Sequence, residues 1–310
     1  MKFLKGLALS LLSFLLFLSL TVFGFAFLLS NTLLNPDFVI AELDKLDVTS
    51  LVRDIFSEQA AGQVPPEAEF ITEVLDETIT ELDPWIKEQS RNAIYSSYDY
   101  FLGKSQSLNL VISLEPVKEK LRDNLWEAFQ ESPPPELALL PQAMVEEYFD
   151  QFYQQFSQEI PSTFELTQDS LSPEVLAQLE QVRQAISYTQ LGYNVLIGFM
   201  LLLVLGIILL NRQVKGATRE LGTIFLTYGA FEYAGILVTK YFAERELARL
   251  PAPSQLQEWL PVLVGDFLAP LEMFSLGLLI GGVVLIIVSF VYPRLRSRQP
   301  SPETVPPSPE

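Results

Sequence analysis

The stretch Ser172–Leu210, SPEVLAQLEQVRQAISYTQLGYNVLIGFMLLLVLGIILL, changes character halfway along without a break. Ser172 is a good helix cap, Pro173 suits the first helical position, and Glu174 follows in the first turn. Val175, Leu176, Leu179, Val182 and Ile186 then recur at helical spacing, with no Gly or Pro before Gly192. From Gly192 onward the chain is uncharged and almost wholly apolar, over a length that crosses about 30 Å of hydrocarbon. The expectation is one helix that starts outside a membrane and ends on its far side.

Three more windows reach spanning length: Leu7–Leu29, Leu221–Val238 and Phe274–Tyr292. The first follows Lys2 and Lys5, as a secretory leader would. Its 23 apolar residues are long for a leader core, and Phe27-Leu28-Leu29-Ser30 offers no small-x-small cleavage site, so it reads as an uncleaved anchor. Lys and Arg lie beside the spans on one side: Lys2 and Lys5, then Arg212, Lys215 and Arg219, then Arg294, Arg296 and Arg298. Cytoplasmic flanks carry such an excess, which puts both termini in the cytoplasm and residues 31–190 outside.

The expected fold is mainly α, an integral membrane four-helix bundle with a large, mostly helical extracytoplasmic domain inserted between its first and second transmembrane helices. The expected divisions are an anchor helix at 1–30, an acidic helical domain at 31–190, and three helices within 191–293. Those helices fall at about 192–210, 221–240 and 273–292, with an outer loop at 241–272. In that loop WLPVLVGDFLAPLEMF (259–274), broken by Pro261 and Pro270, reads as an interfacial or re-entrant segment. The proline-rich residues 294–310 read as a disordered cytoplasmic tail.

Residues 31–190 hold 29 Asp and Glu against 9 Lys and Arg, a local net charge of −20, whereas the whole chain carries −18. Helices are expected from Asn35-Pro36, from Asp47 (DVTSLVRDIFSEQ), from Pro65 (PPEAEFITEVLDETITEL) and from Asp83-Pro84 to Gly103, with Asp83 as the cap. Two amphipathic segments follow at EPVKEKLRDNLWEAF and PQAMVEEYFDQFYQQFSQ, separated by ESPPPELALL. The β-branched stretches Ser107–Leu114 and Ser162–Leu166 have no helical period and are expected to pair as two short strands. Tyr148, Phe149, Phe152, Tyr153 and Phe156 fall at helical spacing and read as core.

The chain has no cysteine and no histidine. Disulfides, thiolate nucleophiles, imidazole acid–base chemistry and the usual zinc sites are therefore excluded. Neither a serine–lysine dyad nor a convergent carboxylate pair is apparent, so the protein reads as a non-enzyme without cofactor or metal. LDETITELD (75–83) comes nearest to a calcium loop, but its spacing is that of a helix face. No nucleic-acid-binding patch is present.

The one charge inside a spanning window is Glu232, in YGAFEYAG (228–235). It lies 13 residues, or about 20 Å, from Arg219 and 8 residues, or about 12 Å, before Lys240, a little beyond the midplane. An ionisable residue at that depth marks either a proton or cation path or a hydrogen bond that fixes the bundle. Tyr228, one turn back, and Ser10, Ser13, Ser19, Thr21 and Ser275 are the candidate partners. The lack of a second carboxylate nearby favours the structural role. Gly277-xxx-Gly281 and Ala230-xxx-Ala234 are small-residue pairs suited to close helix packing, within the chain or in a homo-oligomer.

An anchor, a large outer domain and three further spans with both ends inside is a layout similar to the permease subunits of cell-division and macrolide-export ABC systems. RELGTIFLTYGA (Arg219–Ala230) resembles the Arg-Glu-hydrophobic-Gly cytoplasmic segment of those permeases, while the outer domain has no counterpart there. Two functions follow. The first is a plasma-membrane, multi-pass protein whose acidic domain binds or senses a protein partner, with the bundle as anchor and relay. The second, implied by the resemblance, is a transporter or permease subunit with Glu232 in its path.

Overall fold

The computed structural model describes residues 2–47, 49–50, 53, 69–131, 141–158, 160–247, 249 and 254–296. It is mainly helical, at 86% helix, with a single two-stranded sheet among the described residues. The helix expected from Asp47, the ESPPPELALL linker and the tail beyond residue 296 lie largely or wholly outside those residues. Two compact units form, one from residues 1–35 and 188–310 and the other from Pro36–Ser187.

Among the described residues four helices are long and apolar enough to cross a membrane: α1 (Lys2–Asn31), α7 (Pro173–Asn211), α8 (Val214–Leu247) and α9 (Ser254–Arg296). At 1.5 Å per residue the last three run to about 58, 51 and 64 Å, well beyond about 30 Å of hydrocarbon. The spans visible in the sequence are thus parts of longer helices: the C-terminal halves of α7 and α9 and the middle of α8. Ser172 caps α7, its hydroxyl accepting from the Val175 N–H at 3.4 Å, and the helix continues unbroken to Asn211. The expected outer loop is mostly absent: α8 extends to Leu247, and α9 passes through Pro261 and Pro270. Each proline removes one backbone donor, a loss that an apolar spanning helix absorbs through its neighbours.

Leu16 and Leu20 of α1, Leu203 and Ile207 of α7, and Leu221, Ile224 and Tyr228 of α8 form one buried cluster. Leu28, Ile236, Leu268 and Leu271 form a second. The outward faces stay apolar: Leu201, Leu202, Leu205 and Leu209 are each more than half exposed, a surface suited to lipid and not to water.

The acidic unit begins with α2 (Pro36–Lys45), followed by α3 (Glu69–Glu81) and α4 (Asp83–Phe101). Asp83 is not the cap of α4. Leu82 is, and it alone separates α3 from α4, so Asp83 falls in the first turn and its carboxylate is used in contacts. Gly103 ends α4 with φ +75°, a conformation that a side chain would strain. Strand β1 (Asn109–Ser113) pairs antiparallel with β2 (Thr163–Thr167), with Val111 opposite Glu165, within two residues of the expected bounds. Between them run α5 (Glu115–Glu131) and α6 (Gln142–Ser157). Val74, Leu121, Leu125 and Phe149 close the core, with Trp126, Phe129, Tyr153 and Phe156 packed against it.

Candidate functional site

The closest helix approach in the membrane unit is between α8 and α9, which share its most extensive helix–helix contact. Gly222 and Gly229, seven residues apart on α8, face Gly282 and the Ser275–Leu279 backbone of α9. A Cβ on Gly282 would stand 2.4 Å from the Leu226 nitrogen, and one on Gly229 2.6 Å from the Ser275 carbonyl oxygen. The seam therefore excludes every larger residue at these positions. The small-residue pairs named from the sequence lie elsewhere. Added Cβ atoms at Gly277 and Gly281 meet nothing within 4 Å, and Ala230 and Ala234 are exposed. Spacing alone did not show which side of α9 faces α8, and Gly282 lies one residue, about 100°, around from Gly281.

Tyr228 is fully buried, and its hydroxyl donates to the Leu20 carbonyl of α1 at 3.0 Å. Its ring meets Phe17 edge-on at 5.4 Å. A Cβ on Gly24 would lie 2.7 Å from that hydroxyl, so the missing side chain of Gly24 is what lets Tyr228 reach the α1 backbone. Glu232, one turn further, continues the inward ridge that runs through Leu221, Tyr228 and Ile236, yet it stays half-buried. It forms no hydrogen bond or ion pair with any described residue. Tyr228 is committed to Leu20, Ser13 donates to Glu220 Oε1 at 2.8 Å, Thr21 to the Phe17 carbonyl and Ser275 to the Glu272 carbonyl. Ser10 is exposed and Ser19 buried, and neither reaches Glu232. The structural bond expected of Glu232 is thus made by Tyr228.

Two further polar links tie these helices, and the sequence reading did not find either. Ser13–Glu220 joins α1 to α8 near the start of α8, and Lys240–Glu272 joins α8 to α9 towards its other end. Only helix register could have shown these partners.

In the acidic unit, α2 and α4 are joined by polar contacts. Arg91 pairs with Asp44 at 2.7 Å, and the Tyr95 hydroxyl donates to Asp37 at 2.7 Å. Asp83 accepts from Lys87 and from the Thr49 hydroxyl, and these bonds hold its carboxyl below the usual carboxylate range. Arg183, in the early turns of α7, stacks over the buried Tyr100 ring at 4.9 Å and donates to the Ser105 carbonyl.

The aromatic stripe of α6 divides. Phe149 is buried, and Tyr153 and Phe156 pack on the core, with the Tyr153 hydroxyl donating to the Lys118 carbonyl at 2.6 Å. Tyr148 and Phe152 are 51% and 43% exposed, and Met144, four residues before Tyr148, is 56% exposed. The stripe is wider than α5 can cover, which leaves Met144, Tyr148 and Phe152 as an uncovered apolar row along one flank. The opposite flank of α6 and the side of α5 enclose a cleft of about 180 Å³ lined by Arg122, Asp123, Trp126, Glu146, Phe149 and Asp150. Among the described residues no group of three or more Asp or Glu is gathered closely enough to hold a metal ion. No protein-family model, curated protein or solved structure matches the chain.

Proposed function

We propose that this chain is a non-enzymatic multi-pass membrane protein of the plasma membrane whose acidic unit binds or senses a protein partner. The observation that carries this is the uncovered row Met144, Tyr148 and Phe152 on a unit that already has a closed core of its own. Large apolar side chains aligned on one flank, on an otherwise strongly charged surface, are the feature by which association sites differ from ordinary exterior. The net charge of −20 on residues 36–187 argues against anionic lipid as what covers it. With four crossings both termini share one side in this reading; the Lys and Arg residues beside the candidate spans support the cytoplasm as that side and the exterior as the side of the acidic unit. The bundle serves as anchor and, through the unbroken α7, as relay.

The test is photo-crosslinking in the native membrane from a reactive residue placed at Tyr148 or Phe152, with Asp169 as an exposed polar control. A discrete protein adduct from the α6 positions alone supports the reading. Adducts with lipid only, or none at all, reject it.

One observation favours a second reading, the transporter or permease subunit. Glu232 occupies an inward position in a spanning helix with no bond to any described residue, the situation of residues in ion and proton pathways. Flux of protons or cations into liposomes, abolished by Glu232→Gln in a folded protein, would establish it. No flux from the wild type removes it.

A further inference from the structure

We propose that the end of the membrane unit where α1 begins, α7 turns into α8 and α9 finishes binds the headgroups of anionic phospholipids in its own leaflet, a role that requires only that the four helices cross a bilayer. Helix register gathers the charges there. Ser13 bonds to Glu220 and Tyr228 to Leu20, so α1 and α8 run parallel, offset by 207 and 208 residues. Carried to the start of α1, that offset sets Lys5 level with Arg212. α8 and α9 run antiparallel: a Cβ on Gly222 would stand 3.0 Å from the Ile286 nitrogen, and one on Gly229 2.7 Å from the Leu279 nitrogen. That register brings Arg294 level with Val214, the first residue of α8. Lys5, Arg212, Lys215 and Arg294, from three helices and one turn, thus gather at one end, with Arg219 a turn deeper.

The chain does not neutralise these charges itself. Lys5, Arg212, Lys215 and Arg219 are exposed, and none forms an ion pair with a described residue. Glu220 is the one carboxylate on these helices near that end, and it accepts from Ser13. Elsewhere the chain supplies its own counter-charges. All nine Lys and Arg of residues 31–190 stand in ion pairs. At the other end of the bundle Lys240 pairs with Glu272 and Arg249 with Glu246, while Arg245 sits between Glu244 and Glu246 in the sequence. The unpaired set lies where spanning helices meet the headgroup layer, and lipid phosphates there accept charge-assisted bonds from ammonium and guanidinium donors. A leaflet that carries net negative lipid supplies the anions that the protein lacks at this end.

The test is native mass spectrometry of the full chain in a mild detergent, with equal amounts of phosphatidylglycerol and phosphatidylcholine of the same acyl chains. The wild type is expected to retain phosphatidylglycerol over phosphatidylcholine by about fivefold or more. Arg212→Gln with Lys215→Gln should bring that preference below about twofold. Arg245→Gln with Arg249→Gln, an equal loss of charge at the other end of the bundle, should leave it at the wild-type value. If the first pair lowers the unfolding midpoint, Lys5→Gln with Lys215→Gln carries the comparison and is expected to weaken the preference in the same way. Equal retention of the two lipids by the wild type overturns the proposal, as does equal loss from the substitutions at the two ends. Displacement of phosphatidylglycerol by about 10 mM inorganic phosphate would make this end a site for a soluble anion and overturn the lipid assignment.

Discussion

At the level of single residues, the membrane unit depends on side chains that are absent. Gly282 and Gly229 let two backbones meet, and Gly24 lets a tyrosine hydroxyl reach a carbonyl. Gly282→Ala should destabilise the full chain by about 2 kcal/mol, because the added carbon meets backbone and not a flexible side chain. Gly277→Ala, with nothing within 4 Å, should be neutral or slightly stabilising. Thermal unfolding in a mild detergent compares the two, and equal effects would place the seam elsewhere. Tyr228→Phe should cost about 1 kcal/mol by removing the bond to Leu20. Glu232→Gln, which removes no bond, should stay within about 0.5 kcal/mol. A loss at Glu232 as large as that at Tyr228 would reveal a partner for the carboxylate. The sequence singled out the Tyr228–Glu232 neighbourhood by charge and depth, yet it paired the two residues. It could not show that an opening at Gly24, more than 200 residues away in the chain, gives the hydroxyl a different partner.

At the level of elements, helix ends and strands were legible where local chemistry decides them. Ser172-Pro173 starts α7, Gly103 stops α4, and the two β-branched stretches pair. Elements were misread where a local signal met a longer pattern. Pro261 and Pro270 looked like breaks, but the apolar segment around them continues the helix, and Asp83 looked like a cap although Leu82 already occupies that position. The acids Glu115, Glu119, Asp123, Glu127 and Glu131, which recur every fourth residue along α5, are a local liability that its tertiary packing overcomes. Glu119→Gln or Glu127→Gln should stabilise the folded chain by a few tenths of a kcal/mol for each like-charge pair relieved, read as a raised unfolding midpoint. A fall on neutralising either would mean that these carboxylates are held by contacts in the folded protein.

For the whole molecule, composition was the most informative level and periodicity the least. Four apolar windows announced four spanning helices, and the charge count isolated an acidic unit, but the aromatic periodicity of α6 overstated the core by including Tyr148 and Phe152. With −20 on residues 36–187, self-repulsion opposes the folded unit, while exposed pairs such as Arg122–Asp150 contribute little. Raising sodium chloride from 20 to 300 mM at neutral pH should therefore raise the unit's unfolding midpoint in the full chain. A fall would mean that the surface ion pairs outweigh the net charge. If the exposed row of α6 is a partner's seat, the mass of the complex purified from the native membrane in a mild detergent should show it. The wild type should carry one partner protein at fixed stoichiometry, and Tyr148→Asp with Phe152→Asp should lose it while remaining folded. The same species purified from both, or a wild type that carries no partner, would contradict the account.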